Sequence, residues 1–164
     1  SSDLLLERVA RKFSGPAREQ GVLFELEMRS PPEALVLESA DGDKLEQVLT
    51  NLLDNALRHT PSGKRIALEA ERAEIGGVAA VKLIVRDEGS GIPEEDLPFI
   101  FERFYKADKS RKRASGTGLG LAIVKNLIDS HRGTTDVVSE VGQGTTFTVI
   151  LPVEANAVIV EKRN

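Results

Sequence analysis

Apolar positions along the chain fall into two periods. Leu5, Val9, Phe13 and Ala17 recur every four residues, which predicts an amphipathic helix over Leu4–Gln20, with Gly21 as its C-cap. Val22–Glu27 alternates apolar and acidic residues and predicts a strand. Ser30-Pro31-Pro32 reads as a turn and Ala34–Leu37 as a short strand. A second helix covers Leu45–Pro61, with Leu45, Val48, Leu49, Leu52 and Ala56 on one face. Asp41-Gly42-Asp43 opens it. Asp43 is the expected N-cap, Glu46 stands where a capping box places it, and Pro61-Ser62-Gly63 ends the helix.

Downstream the period shortens. Arg65–Ala73 and Val78–Arg86 are strand-like runs joined through Ile75-Gly76-Gly77, a hairpin signal. Asp87–Pro93 is a glycine-bearing loop, Glu94–Phe104 returns to helical spacing, and Tyr105–Ser115 is polar and basic. Gly116–Gly120 leads into a helix at Leu121–Ser130, with Ala122, Ile123 and Leu127 apolar. Thr134–Ser139 and Thr145–Leu151 form a second hairpin about Gly142-Gln143-Gly144. This order predicts an α/β two-layer sandwich, a mixed, mostly antiparallel sheet with helices on one face. Phe24, Leu83, Val85, Phe147, Val149 and Leu151 are expected to face those helices in part. Residues 1–153 make one domain and 154–164 a tail, whose Ala157–Val160 run adds an edge strand or stays mobile.

Composition narrows the chemistry. A length of 164 residues suits one domain with a real core, and 40% hydrophobic with 29% charged content is ordinary for a soluble protein. A net charge of −4 gives no reason to expect nucleic-acid binding. The absence of cysteine excludes disulfides and thiolate metal sites, and two histidines far apart in sequence speak against zinc. No apolar run approaches the roughly 20 residues that span a bilayer, and Ser1-Ser2-Asp3 carries no leader signature.

Three stretches hold candidate chemistry. The polar side of the second helix carries Gln47, Asn51, Asp54, Asn55 and Arg58, with Asn51 and Asn55 one turn apart. Asparagine is a mediocre helix former, so two of them mid-helix point to a task other than helix building, although a solvated face reads the same way. In DEGSGIP, Asp87 comes directly off a strand and could accept a hydrogen bond from an amino group. Gly89 and Gly91 allow close approach, while a plain turn needs the same residues. In SGTGLGL, glycines at alternate positions before a helix would expose N–H groups suited to phosphate, or form a hinge. Neither the dinucleotide fingerprint nor a Walker motif is present.

Taken together and in order, these motifs resemble the ATP-binding catalytic domain of bacterial sensor histidine kinases, whose superfamily includes the type II topoisomerase, Hsp90-type and MutL-type ATPases. NLLDNALRHTP resembles the family's N box, DEGSGIP its first G box, FERFYKAD (Phe101–Asp108) its F box, and GTGLGLAIVKNLIDSH its second G box. SEVGQGTTFTVILP resembles the terminal hairpin, so the likeness covers Asp41–Pro152. It implies ATP and Mg²⁺ as ligands. Asn55 would give its amide oxygen to the metal, and Asn51 would sit by triphosphate and metal. Arg58, where the family usually has lysine, would contact phosphate, and His59 stands where the family often has an aromatic near adenine. Asp87 would accept the adenine amino hydrogen bond and reject guanine, which presents an acceptor there. Gly89, Gly91 and Ile92 would line the base. Lys106, Gly116, Thr117, Gly118, Leu119, Gly120 and Leu121 would line the phosphates, with Lys106 and Arg111–Arg113 in a lid over roughly Tyr105–Ser115. Phe101 and Phe104 fit lid packing.

One position separates kinase from ATPase. The family's ATPases carry a general-base glutamate four residues before the metal asparagine; here that position is Asn51, an amide that cannot take a proton at neutral pH. Glu46, nine residues before Asn55, lies on another side of the helix. Asn51 and Arg58 are therefore expected to act by positioning and charge neutralisation. Neither His59, followed by Thr60, nor His131, followed by Arg132, matches the phosphoacceptor motif. The resemblance thus implies a histidine-bearing dimerisation domain elsewhere in a parent chain, a downstream response regulator and no nucleic-acid partner. It also implies a monomeric fragment of a homodimeric parent, with the domain cytoplasmic and the parent at the cell membrane. A superfamily ATPase and a degenerate docking module are the rival readings.

Overall fold

In the computed structural model the described residues are 5–29, 42–105 and 119–152. The chain order is α1 (Leu5–Gln20), β1 (Leu23–Met28), α2 (Gly42–His59), β2 (Arg65–Ile75), β3 (Val78–Asp87), α3 (Gly120–Ser130), β4 (Thr134–Glu140) and β5 (Gly144–Pro152). The sheet runs β1-β2-β3-β5-β4. β1 pairs with β2 in parallel, because α2 carries the chain back between them; every other pair is antiparallel. This is the expected α/β sandwich with a mixed sheet.

α1 and α2 bury the faces their periodicity marked, whereas α3 buries Val124 and Ile128 and leaves Ala122, Ile123 and Leu127 half-buried, because the core meets the helix one residue round from the expected face. Leu6, Val9 and Phe13 of α1, Leu49, Leu52 and Leu53 of α2, and Val124 and Ile128 of α3 join one core with Ile66, Leu68, Leu83, Val85, Phe147 and Val149 of the sheet. Phe24 and Leu151 pack against that core as expected. α1 ends at Gly21, where Val22 N–H donates to Ala17 O (2.9 Å) and Gly21 N–H to Arg18 O (3.0 Å), the bond pair of a Schellman cap. At the β2–β3 turn Ile75 faces Val78 across a two-residue loop, and Gly76 and Gly77 both have positive φ, as a type I′ turn requires.

Two local expectations are corrected. α2 already includes Gly42, so Asp43 lies in its first turn, and Glu46 reaches across to Lys12 (3.0 Å) and Arg8 (3.2 Å) of α1. An ion pair with a packed neighbour has displaced the capping box. Glu94–Phe104 contains only a 3₁₀ turn at Leu97–Phe99. Pro98 lacks the N–H of a continuing α-helix, and Phe104 turns out of the helical region at φ 64°. The apolar spacing still has meaning, since Leu97, Ile100 and Phe101 all meet the core. The Ser30-Pro31-Pro32 turn, the Ala34–Leu37 strand, most of the proposed lid and the tail fall outside the described residues.

The far end of α2 is tied to α1 by one side chain. Gln20 Nε2 donates to Leu57 O (2.6 Å) and Thr60 O (3.0 Å), while Thr60 Oγ1 donates to Ala56 O (2.7 Å). Gln20→Ala is expected to cost about 0.5–1.5 kcal/mol, read as a lower urea midpoint at unchanged slope.

On the sheet face away from the helices, Glu69 is only 3% exposed and is held between Arg29 (2.5 Å) and Arg86 (2.6 Å). Burial alone would raise its carboxyl, but hydrogen bonds and charge from the two arginines outweigh that and hold it below the usual carboxylate range. A depressed folded pKa adds stability above the unfolded value and loses it as pH falls through the folded one. Glu69→Gln should therefore lower the urea midpoint at pH 7, and its deficit against the wild type should shrink on acidification below about pH 4.

Candidate functional site

The second half of α2 is where the three chemical motifs converge. Asn55 is 9% exposed despite its place on the helix's polar stripe. Asn51, one turn earlier, is half-buried, and its Nδ2 is enclosed with no hydrogen-bond partner among the described residues. The start of α3 lies against this side chain. A Cβ built on Gly120, the first residue of α3, would lie 3.9 Å from Cβ, Cγ and Oδ1 of Asn51. Leu119, the residue before this helix, makes no side-chain cap hydrogen bond. An enclosed amide donor lacking an acceptor among the described residues, beside the first turn of α3, suits an acceptor-rich anion. Leu119 and Leu121 flank the same start and are half-buried.

Arg58 and His59 close α2 and are both exposed. Asp54 is raised chiefly by burial, with Arg58 pulling the other way. Glu46, already paired with Lys12 and Arg8, is held low by Lys12 first and has no free role as a base.

The second motif docks on the end of this helix. Asp87 is the last residue of β3, opposite Ile66 on one side and Thr145 on the other. Its carboxylate is 7% exposed and accepts the Gly89 N–H at Oδ1 (2.9 Å) and the Thr145 backbone N–H. Burial pushes the carboxyl up, these two bonds pull it down, and the balance stays above the ordinary aspartate value. Such a group has acceptor capacity left over and pays for its charge until a further donor arrives.

The loop glycines serve packing that the sequence did not reveal. A Cβ on Gly89 would come 2.4 Å from His59 O, and one on Gly91 2.3 Å from Glu140 O. Ser90 N–H donates to His59 O (3.2 Å) and Gly142 N–H to Ser90 O (2.9 Å), so the loop is clamped between the end of α2 and the β4–β5 turn. Ile92 packs on the core beyond it. Phe101 stacks edge-on against Phe147 at 6.1 Å, which makes it a core residue; Phe104 is exposed. Ser139, Gly144 and Thr145 also touch this loop and were read only as hairpin residues. The available signal was Thr145, a hydroxyl at a strand position whose alternate neighbours, Phe147 and Val149, face the core. Lys106, Arg111–Arg113, Gly116, Thr117 and Gly118 fall outside the described residues.

Comparison with known proteins agrees with this arrangement. Residues 40–155 match the family described as histidine kinase-, DNA gyrase B- and HSP90-like ATPase. Sensor protein SrrB of Staphylococcus aureus is 48% identical over 115 residues, covering 70% of this chain and 19% of SrrB, so the chain spans about a fifth of that relative. The mycobacterial sensor histidine kinase MprB superposes with a TM-score of 0.72 at 27% identity, over 90% of this chain and 93% of that structure. Full-length ShkA in complex with AMPPNP superposes with a TM-score of 0.77 at 32% identity, over 96% of this chain and 30% of ShkA.

Proposed function

The chain belongs to the histidine kinase-, DNA gyrase B- and HSP90-like ATPase family, and from that membership we propose that it is the ATP-binding catalytic domain of a two-component sensor histidine kinase. Residues 1–153 form that domain and 154–164 a tail. It presents Mg·ATP to a histidine on a separate dimerisation domain of a longer, homodimeric parent, and a response regulator receives the phosphoryl group next. No helix among the described residues is long and apolar enough to cross a membrane. On this reading the domain is cytoplasmic and any membrane anchor belongs to the rest of the parent.

The residues divide the work by chemistry. Asp87 accepts the adenine amino group in a pocket bounded by Gly89, Gly91 and Ile92, with His59 at its edge. Asn51 donates its Nδ2, which has no partner among the described residues, to a triphosphate oxygen beside the start of α3, and the Gly116–Leu121 run supplies phosphate contacts. Arg58 and Lys106 add positive charge. Asn55 would offer its amide oxygen to Mg²⁺, a hard cation that takes oxygen ligands. When bound, the metal would neutralise charge on the triphosphate.

One observation favours phosphoryl transfer over hydrolysis. The position beside the metal asparagine that could activate water is Asn51, an amide, and Glu46 is committed to α1. Calorimetric titration with a Mg·ATP analogue, followed by a steady-state assay of phosphate release, tests this reading. Binding with negligible turnover is expected. Sustained turnover would favour a superfamily ATPase, and absence of binding would favour a docking module.

A further inference from the structure

Ser139 belongs to β4, on the edge of the sheet, yet its hydroxyl meets three groups of the site at once. It accepts the Ile92 N–H at 2.8 Å, and it lies 3.1 Å from Gly144 O and 2.8 Å from Thr145 Oγ1. The backbone around it is equally close. A Cβ on Gly144 would fall 1.9 Å from Asp87 O, and one on Gly91 2.3 Å from Glu140 O. The far ends of DEGSGIP therefore rest on the two sides of one hairpin, and Ser139 is the side chain that spans them.

A hydroxyl has one proton and two lone pairs. With one lone pair taken by Ile92 N–H, the Ser139 proton goes either to Gly144 O or to Thr145 Oγ1. In the first state Ser139 can accept the Thr145 proton. In the second, Thr145 keeps its own proton to donate elsewhere. Thr145 is 6% exposed, directly opposite Asp87, and its backbone N–H already supports the Asp87 carboxylate. The proton on Ser139 thus decides whether the hydroxyl beside Asp87 is a donor or is spent within the hairpin.

We propose that Ser139 is a positioning residue for base recognition: it fixes Ile92 and the Thr145 hydroxyl so that the pocket holding Asp87 presents one hydrogen-bond pattern to the purine. The inference rests on the functional reading above, since it places the base at Asp87. Ser139 touches no part of the triphosphate region around Asn51 and Gly120, so its effect is confined to the base.

The test titrates the chain with Mg·ATP, Mg·ITP, whose base carries a carbonyl oxygen in place of the amino group, and Mg·tripolyphosphate, which has no base. Ser139→Ala is expected to weaken ATP binding about fivefold and to cut the ATP-to-ITP preference by a similar factor, leaving tripolyphosphate unchanged. Ser139→Thr, which retains the hydroxyl in a strand that favours β-branching, should restore both. If Ser139→Ala does not fold by circular dichroism, Ser139→Cys carries the same expectation in weaker form. An unchanged ATP-to-ITP preference overturns the inference, as does an equal loss for all three ligands that Ser139→Thr fails to repair. If the wild-type chain binds no ATP, the functional reading and this inference fall together; if it prefers ATP and Ser139→Ala keeps that preference, only the inference falls.

Discussion

Asn55→Ala is expected to weaken Mg·ATP binding by roughly 10–100-fold while leaving binding of metal-free nucleotide nearly unchanged. The expectation follows from what the side chain lacks as much as from what it offers. No group of three or more acidic or histidine side chains able to hold a metal occurs among the described residues, and on the proposed function the cation would rely on amide and phosphate oxygens. Asn55 is 9% exposed in the second half of α2. A buried polar side chain at an interior helical position costs stability unless it is used. Alanine at that position is the better helix former, which protects the fold of the variant. Calorimetry with and without Mg²⁺ separates the two contributions. A loss of equal size in both conditions would mean that Asn55 supports the pocket without touching the metal.

What could be read from the sequence, and what could not, divides along one physical line. α1 and α2 were legible because four or more apolar residues at helical spacing face a common sheet, and burial depends on that spacing alone. The β2–β3 hairpin was legible because Gly76-Gly77 supplies the two positive φ values that its turn demands. The helical pattern puts Asn55 on a polar face, yet it is only 9% exposed, because its burial depends on tertiary packing that no local pattern shows. Contacts between segments remote in sequence also hide the reason for Gly89 and Gly91. They answer to His59 O and Glu140 O, atoms that no local pattern brings near. Pro98 breaks the helix that the apolar spacing around it predicts. A 3₁₀ turn can deliver Leu97 and Ile100 to the core as well as an α-helix can. Ser139 and Thr145 escaped because hydroxyls in a strand read as good β formers, and only the register opposite Asp87 gives them a role. Glu69 escaped for a related reason: its two arginine partners lie on neighbouring strands and their ends.

Asp87→Ala is expected to weaken ATP binding by about 1–3 kcal/mol, or roughly 5- to 150-fold, and to shrink the preference for ATP over GTP. The adenine amino group would lose its acceptor, whereas guanine, which meets the wild-type carboxylate acceptor to acceptor, should lose little or gain. Two backbone donors, Gly89 N–H and Thr145 N–H, also lose a partner in this variant, so Asp87→Asn serves as the control that keeps an oxygen in place. Proton linkage sharpens the test. Burial raises the Asp87 carboxyl in the free domain, and the charged form is the one that receives the amino group. ATP affinity should therefore decline as pH falls through that raised range, at higher pH than for an ordinary aspartate, and the decline should vanish in Asp87→Asn. The linkage to folding runs the other way. With the folded pKa above the unfolded one, the folded state holds the proton more tightly, and the domain without ligand loses stability as pH rises through the same window. Opposite pH slopes for affinity and for stability, both abolished by Asp87→Asn, would be hard to produce from a turn residue. If Asp87→Ala folds by circular dichroism and keeps the wild-type preference for ATP, Asp87 shapes the loop only, and the adenine lies elsewhere.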